Sequence, residues 1–393
     1  MKHINRKGSH SVKVDALEKY FGKEDLIPLW VADMDFETPQ CVKEALQQVV
    51  DGGVYGYNVI PDNYYPTVVQ WLKQVQRWDV EQKWLTFIPG IVKGIGYVVN
   101  YFTKEGDGVI VQPPIYPPFM NVPKGNGRKL VFNPLIRTAD GYRMDFQNLR
   151  EICSTGKCRL LILSNPHNPG GIAWDRETLK ELAAICHEYN ILVISDEIHA
   201  DMPLFGNEHI PFASVSKEAA QISITFGAPS KTFNMAGIVS SFAVVPNEDI
   251  RVPFYKWLSV NELGSPTIFA TLGAIAAYTK GNDWRMKMLD YIEGNVVFVE
   301  NFCKTDLGGL IKPVRPLSSF LVWLDCRELS RKLFGCVNQQ QLVELFIHKA
   351  GLALNNGEAF GPGGEGYMRL NVGCGLEVLQ EAMNNLKKAV DEY

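Results

Sequence analysis

Continuous apolar runs, not alternating ones, dominate the middle of the chain. G-V-I-V-Q (108–112), L-L-I-L-S (160–164), I-L-V-I-S (191–195) and I-S-I-T-F (222–226) are apolar or nearly so throughout, as expected of strands buried on both faces. Between the second and third lies D-R-E-T-L-K-E-L-A-A-I-C-H-E-Y (175–189), with apolar positions at helical spacing. Strands separated by helical patterns predict an α/β domain with a mostly parallel sheet. The C-terminal part differs. S-S-F-L-V-W-L-D (318–325) and Y-M-R-L-N-V (367–372) alternate like half-exposed strands, flanked by helical patterns at 338–350 and 376–392. They predict a smaller α+β domain. The expected organisation is an N-terminal segment, 1–45, packing on the small domain or a partner subunit, a large domain, 46–285, and a small C-terminal domain, 286–393.

The residues after each strand carry the candidate chemistry. P-P-I-Y-P-P follows the first run, N-P-H-N-P-G-G the second, D-E-I-H the third and G-A-P-S-K the fourth. Ligands in open α/β sheets bind beyond the carboxyl ends of the strands, so Tyr116, Asn168, Asp196 and Lys231 are expected on one rim. Each has an ordinary reading by itself: a loop aromatic, a turn former, a helix cap, a solvated lysine. Together they match the needs of pyridoxal 5'-phosphate. Its aldehyde requires an amine, Lys231, with Ser230 beside it. Its pyridine nitrogen stays protonated opposite a buried carboxylate, Asp196. Its 3'-oxygen takes a donor, Asn168, and its ring face an aromatic, Tyr116. In T-F-I-P-G-I-V-K-G-I-G-Y-V-V-N-Y-F (86–102), Gly90 ends a strand-like run and opens a helical pattern, which offers free backbone N–H groups to a phosphate.

Composition removes other classes. The 393 residues hold 39 basic and 43 acidic side chains without long runs of one sign, giving no reason to expect a nucleic acid or an anionic membrane as partner. Eight scattered cysteines without C-x-x-C spacing read as reduced thiols of a cytoplasmic protein, not as disulfides or a metal site. His199 has no second histidine at ligand spacing. The chain has no apolar stretch long enough to span a membrane, and its first residues lack the apolar core of a signal peptide.

N-P-H-N-P-G-G, S-D-E-I-H and A-P-S-K-T-F-N, about 30 residues apart, resemble the fold type I pyridoxal phosphate enzymes, the aspartate aminotransferase superfamily. P-L-W-V-A-D-M-D-F (28–36), Y-G-Y (55–57) and Y-M-R-L-N-V-G-C (367–374) are similar to its MalY/PatB group of cystathionine β-lyases and C–S lyases. The resemblance implies the roles just given for Lys231, Asp196, Asn168 and Tyr116. It further implies phosphate contacts from the backbone of Gly90, Ile91 and Val92, and from a Tyr57 that reaches over from the neighbouring subunit of a homodimer. Arg369 then binds the substrate α-carboxylate, whereas the local pattern alone reads it as an outward arginine. Ala228 and Val239 stand where many aminotransferases carry a serine and an arginine for the phosphate, and His199 where they often carry a tyrosine; its role stays open.

The implied reaction is β-elimination from L-cystathionine or an L-cysteine-like substrate, giving pyruvate, ammonia and a thiol. The alternative is transamination of an L-amino acid. A third reading, a regulator that keeps the fold without the chemistry, is opposed by the intact Lys231, Asp196 and Arg369 and by the lack of an added DNA-binding segment.

Overall fold

The computed structural model describes residues 1–139 and 141–393. Its central sheet has seven strands: Leu85–Ile88 (β1), Gly108–Val111 (β2), Lys129–Phe132 (β3), Cys158–Ser164 (β4), Leu192–Asp196 (β5), Ser223–Gly227 (β6) and Ser241–Val244 (β7). They lie in the order β1, β7, β6, β5, β4, β2, β3. Strands β2 to β6 pair in parallel, and β7 runs antiparallel to both β6 and β1. The four runs expected to be strands are β2, β4, β5 and β6. The sequence pattern did not mark β3, a partly exposed edge, or the four-residue β7.

Successive strand residues point to opposite faces. Val109, Val111, Leu160, Ile162 and Ile194 enter one core with helix Ile91–Phe102 (α1). Ile110, Leu161, Leu163 and Val193 enter another with helix Arg176–Glu188 (α2). Both faces are covered, so the strands read as unbroken apolar runs. Helix α2 begins where Asp175 Oδ1 accepts the Thr178 N–H at 2.9 Å, a side-chain cap on an otherwise unpartnered amide.

The C-terminal sheet is antiparallel, Lys312–Val314 (β8), Leu321–Asp325 (β9), Asn355–Asn356 (β10) and Tyr367–Asn371 (β11), in the order β8, β9, β11, β10. Strands β9 and β11 are buried along their whole length, which corrects the expectation of half-exposed strands. Val322, Leu324, Met368 and Leu370 pack on helices Asn282–Thr305 (α3) and Leu376–Asp391 (α4). On the opposite face Trp323 and Tyr367 stack on each other, 5.0 Å between centroids, within the core that lies under the large sheet. Helix α3 runs through residue 285, the expected junction. Near the N-terminus, Ile27–Pro28 pairs in parallel with Leu352–Ala353. Among the described residues, no helix is long and apolar enough to cross a membrane, and no group of three or more His, Cys, Asp or Glu is placed to hold a metal ion.

Candidate active site

The strand tails converge as their order requires. β5 delivers Asp196 at its last position, β4 is followed by the turn carrying Asn168, β2 by the proline-rich loop carrying Tyr116, and β6 by the turn carrying Ser230 and Lys231. All five line one cavity of about 320 Å³, together with Gly90, Ile91, Val92 and His199. Arg369, on β11, is not among that lining; it meets the rim through Asn168, to whose Oδ1 its Nη1 donates at 3.0 Å.

The phosphate end is built by α1. Gly90 precedes it at φ 102°, a conformation open to glycine and costly for other residues. The Gly90 N–H donates to Ile88 O at 2.9 Å, so glycine supplies the turn, and the first-turn amides of Ile91, Val92 and Lys93 are the free donors. Lys93, which the glycine-turn pattern does not distinguish, lines the cavity with them. The helix lies tight on the sheet: a Cβ on Gly94 would sit 2.8 Å from the Phe226 ring. Ser230 Oγ donates to Ser240 O at 3.2 Å.

The charged groups are held in an environment that disfavours their charge. Burial pushes the Asp196 carboxyl up to about 7, against the Ile198 N–H and the Lys231 charge, with Glu197 adding to the rise. The Ile198 amide donates to Asp196 Oδ1 at 3.0 Å. Burial lowers the Lys231 amine to about 8, with Arg369 acting in the same direction and Asp33 and Asp196 opposing it; Nζ donates to Ala32 O at 2.5 Å. Burial raises the Tyr116 phenol. It lowers His199 to about 3, aided by Lys231 and Arg369, so this imidazole is neutral at physiological pH, and its Nδ1 is buried without a partner.

Arg369 is only 4% exposed. Its three hydrogen bonds go to neutral oxygens: Asn168 Oδ1, Trp30 O at 3.1 Å and Asn355 Oδ1 at 2.6 Å. Its Nε is buried and unpartnered, and burial lowers its pKa to about 10. A guanidinium in this state is incomplete without an anion. The outward orientation read from the local pattern is therefore corrected, because the large domain and the N-terminal segment cover that face of β11.

These residues fit pyridoxal phosphate on structural grounds: a buried carboxylate with one backbone donor, an amine with lowered proton affinity, and a glycine turn opening a helix stand around one cavity. Tyr57 is not part of this chain's cavity. It is fully exposed at 112%, in an irregular segment whose Val54, Tyr55 and Val59 are exposed as well. Beside Lys93, the residue pattern does not disclose the Ala32 carbonyl, which accepts from Lys231, or Asn234, whose Oδ1 accepts the Met34 N–H at 3.0 Å. Backbone oxygens leave no residue signature, although P-L-W-V-A-D-M-D-F, which contains Ala32, stood out as a motif.

A mostly parallel sheet with this rim of lysine, aspartate, asparagine and tyrosine defines a pyridoxal-phosphate-type fold, and the chain belongs to the aminotransferase class I and II family, whose model matches residues 24–386. Among its relatives it is 40% identical to cystathionine beta-lyase PatB of Bacillus subtilis (strain 168), over 99% of each chain. Cystalysin from Treponema denticola, solved with a pyridoxal 5'-phosphate cofactor, superposes with a TM-score of 0.91 at 33% identity, covering 100% of this chain and 98% of that one. The PLP-bound C-S lyase from Staphylococcus hominis gives 0.90 at 31% identity, covering 99% and 97%.

Proposed function

We propose that the protein is a pyridoxal 5'-phosphate-dependent C–S β-lyase, cleaving L-cystathionine or a related L-cysteine thioether to pyruvate, ammonia and a thiol. The observation that carries it is the buried Arg369 guanidinium without a carboxylate partner, on the same site as a Lys231 amine lowered to about 8. One suits an α-carboxylate and the other an α-proton. The relatives named as cystathionine β-lyase and C–S lyase favour elimination over transamination.

The cofactor would be held by Lys231 at its aldehyde, Asp196 at its ring nitrogen, Asn168 at its 3'-oxygen, Tyr116 on its face and the amides of Ile91 and Val92 at its phosphate, with the Ser230 hydroxyl turned there from Ser240 O. When bound, it supplies an electrophilic aldehyde and a cationic ring that draws electron density from the substrate's Cα. Arg369 orients the substrate through a two-pronged contact with its carboxylate. Lys231 Nζ, which the substrate amine would displace from the aldehyde and which is then neutral in a larger fraction than an ordinary lysine, takes the α-proton. Asp196, pushed up to about 7 chiefly by burial, would return to its charged form opposite the cationic ring nitrogen. The Cβ–S bond breaks with its electron pair on sulfur, which gains a proton and leaves as the thiol. The remaining three-carbon enamine takes up water and separates into pyruvate and ammonia.

Tyr57 is proposed to complete the phosphate site of a second copy of the chain, making the active form a homodimer; its full exposure beside other exposed apolar residues supports this. A cytoplasmic location is supported by eight free cysteines.

The test is incubation of the cofactor-loaded protein with L-cystathionine, following pyruvate with a coupled dehydrogenase while recording the cofactor spectrum. Sustained pyruvate with an unchanged band is expected. Drift to the amine form of the cofactor without pyruvate would mean transamination.

A further inference from the structure

Residues 30–36, W-V-A-D-M-D-F, cross the site as a strap, and almost every group along it is engaged. On the site side, Trp30 O accepts from Arg369 Nη2 and Ala32 O from Lys231 Nζ. Asn234, three residues beyond the lysine, brackets Met34: its Oδ1 accepts the Met34 N–H at 3.0 Å, and its Nδ2 donates to Met34 O at 2.8 Å and Phe36 O at 2.7 Å. From the small domain, Asn371 Nδ2 donates to Val31 O at 2.6 Å and Asp33 O at 2.7 Å.

The opposite side of the strap is held by the first twenty-one residues. Arg6 grips both oxygens of Asp33, each at 2.8 Å, and reaches Asp35 Oδ1 at 3.3 Å. Lys13, 0% exposed, donates to Asp35 Oδ2 at 2.8 Å and Asp33 O at 3.3 Å. The Lys13 carbonyl accepts from Trp30 Nε1 at 2.9 Å, and the Trp30 ring lies 5.0 Å from Tyr20 and 5.1 Å from Phe21. Burying an ammonium is costly unless its partner is fixed. A mere tether for the terminus has no need of two cations on alternate residues of the segment whose carbonyls seat the site's lysine and arginine.

We propose that the N-terminal segment is a latch on this strap, with Arg6 and Lys13 as positioning residues for Lys231 and Arg369. The proposal rests on the reading that Lys231 carries the cofactor and Arg369 the substrate carboxylate. Two effects follow. The latch fixes the Trp30 carbonyl that aims the guanidinium, and the Arg6 fork occupies the Asp33 carboxylate, limiting its pull on the Lys231 nitrogen. The other charged groups acting on that nitrogen are Asp196 from β5 and Arg369 from β11, with His199 after β5 and Tyr116 after β2 lining the same cavity; of these only Arg369 is held by the strap.

The experiment is a comparison of holoenzyme with the variants Arg6→Gln and Arg6→Lys. Arg6 is partly exposed, and a melting temperature for each variant separates loss of the latch from loss of the fold. Three readouts are taken: the pH midpoint of the cofactor absorbance band, KM and kcat for L-cystathionine, and hydrogen exchange of amides 29–36. For Arg6→Gln, the freed Asp33 charge should move the band midpoint up by about half a unit. KM should rise about tenfold with kcat changed less than about threefold, and the strap amides should exchange faster. Arg6→Lys keeps the charge but loses the fork, so its midpoint stays near the parent's and its KM falls between. A midpoint unchanged or lowered in Arg6→Gln, or a KM within about twofold of the parent, overturns the latch even where the melting temperature drops. Failure of the underlying reading looks different: the parent shows no cofactor band, or Lys231→Ala keeps it, and reading and latch then fall together.

Discussion

Three charged side chains at the site, Lys231, Asp196 and Arg369, are held where burial opposes their charge, and this has a measurable consequence for the cofactor-free protein. Asp196 moves from 3.8 to about 7, so the folded chain binds this proton more tightly than the unfolded chain. Its contribution to stability therefore falls as pH rises from about 4 to about 7 and stays low above that. Asp196→Asn removes the charge and keeps the shape. Without cofactor it should be more stable than the parent at pH 8 by roughly 2 to 4 kcal/mol, a gain that vanishes toward pH 4, while turnover of the loaded enzyme falls at least about a hundredfold. Melts at pH 5 and pH 8 decide it, and equal melting temperatures at pH 8 would contradict the burial argument. Arg369→Met makes the parallel case: KM for the amino acid should rise about a hundredfold, the loss of a charged hydrogen bond or two, with a smaller effect on kcat. Arg369→Lys should rescue little, because a point charge cannot replace a fork; full rescue in steady-state kinetics would refute the two-pronged contact. His199, at about 3, should leave no inflection in the rate profile between pH 5 and 9.

At the scale of elements, the glycine turn and α1 must approach the sheet closely for the first-turn amides to face the cavity. Gly94 is the contact that permits it, with Phe226 and Ile88 at 2.8 and 2.9 Å from where a Cβ would stand. Gly94→Ala should push the helix off the sheet, lowering stability by about 1 to 3 kcal/mol and weakening cofactor retention during dialysis, with Arg369 untouched. Unchanged retention would mean that the amides of α1 do not carry the phosphate. The elements themselves differ in how well the sequence disclosed them. β2, β4, β5 and β6 were visible because both faces are apolar, and their tails named Tyr116, Asn168, Asp196 and Lys231, since strand order alone brings those tails together. Arg369 was not visible locally. M-R-L alternates like a surface strand, and the cover that buries it comes from residues far away in the chain, Trp30 and Asn168. The Ala32 carbonyl was invisible for a different reason: a backbone oxygen looks alike in every residue.

At the scale of the whole molecule, Tyr57 belongs to a surface rather than to its own chain's cavity. Its side chain is in solvent, as are Val54, Tyr55 and Val59, in a segment that neither helix nor strand secures. Apolar side chains displayed together are the mark of an interaction surface, and a two-fold pair of chains would let each lend its segment to the other. Complementation separates this from a tyrosine that serves its own chain or none. Lys231→Ala and Tyr57→Ala are each expected to be nearly inactive. Unfolded together and refolded as a mixture, half of the dimers formed at random carry one of each chain, and in these one site has both native residues and the other neither. Activity should then recover to about a quarter of the parent's, in step with the fraction of mixed dimer resolved by native mass spectrometry. A tyrosine acting within its own chain predicts no recovery above the sum of the separate variants, because every site would still lack one of the two residues.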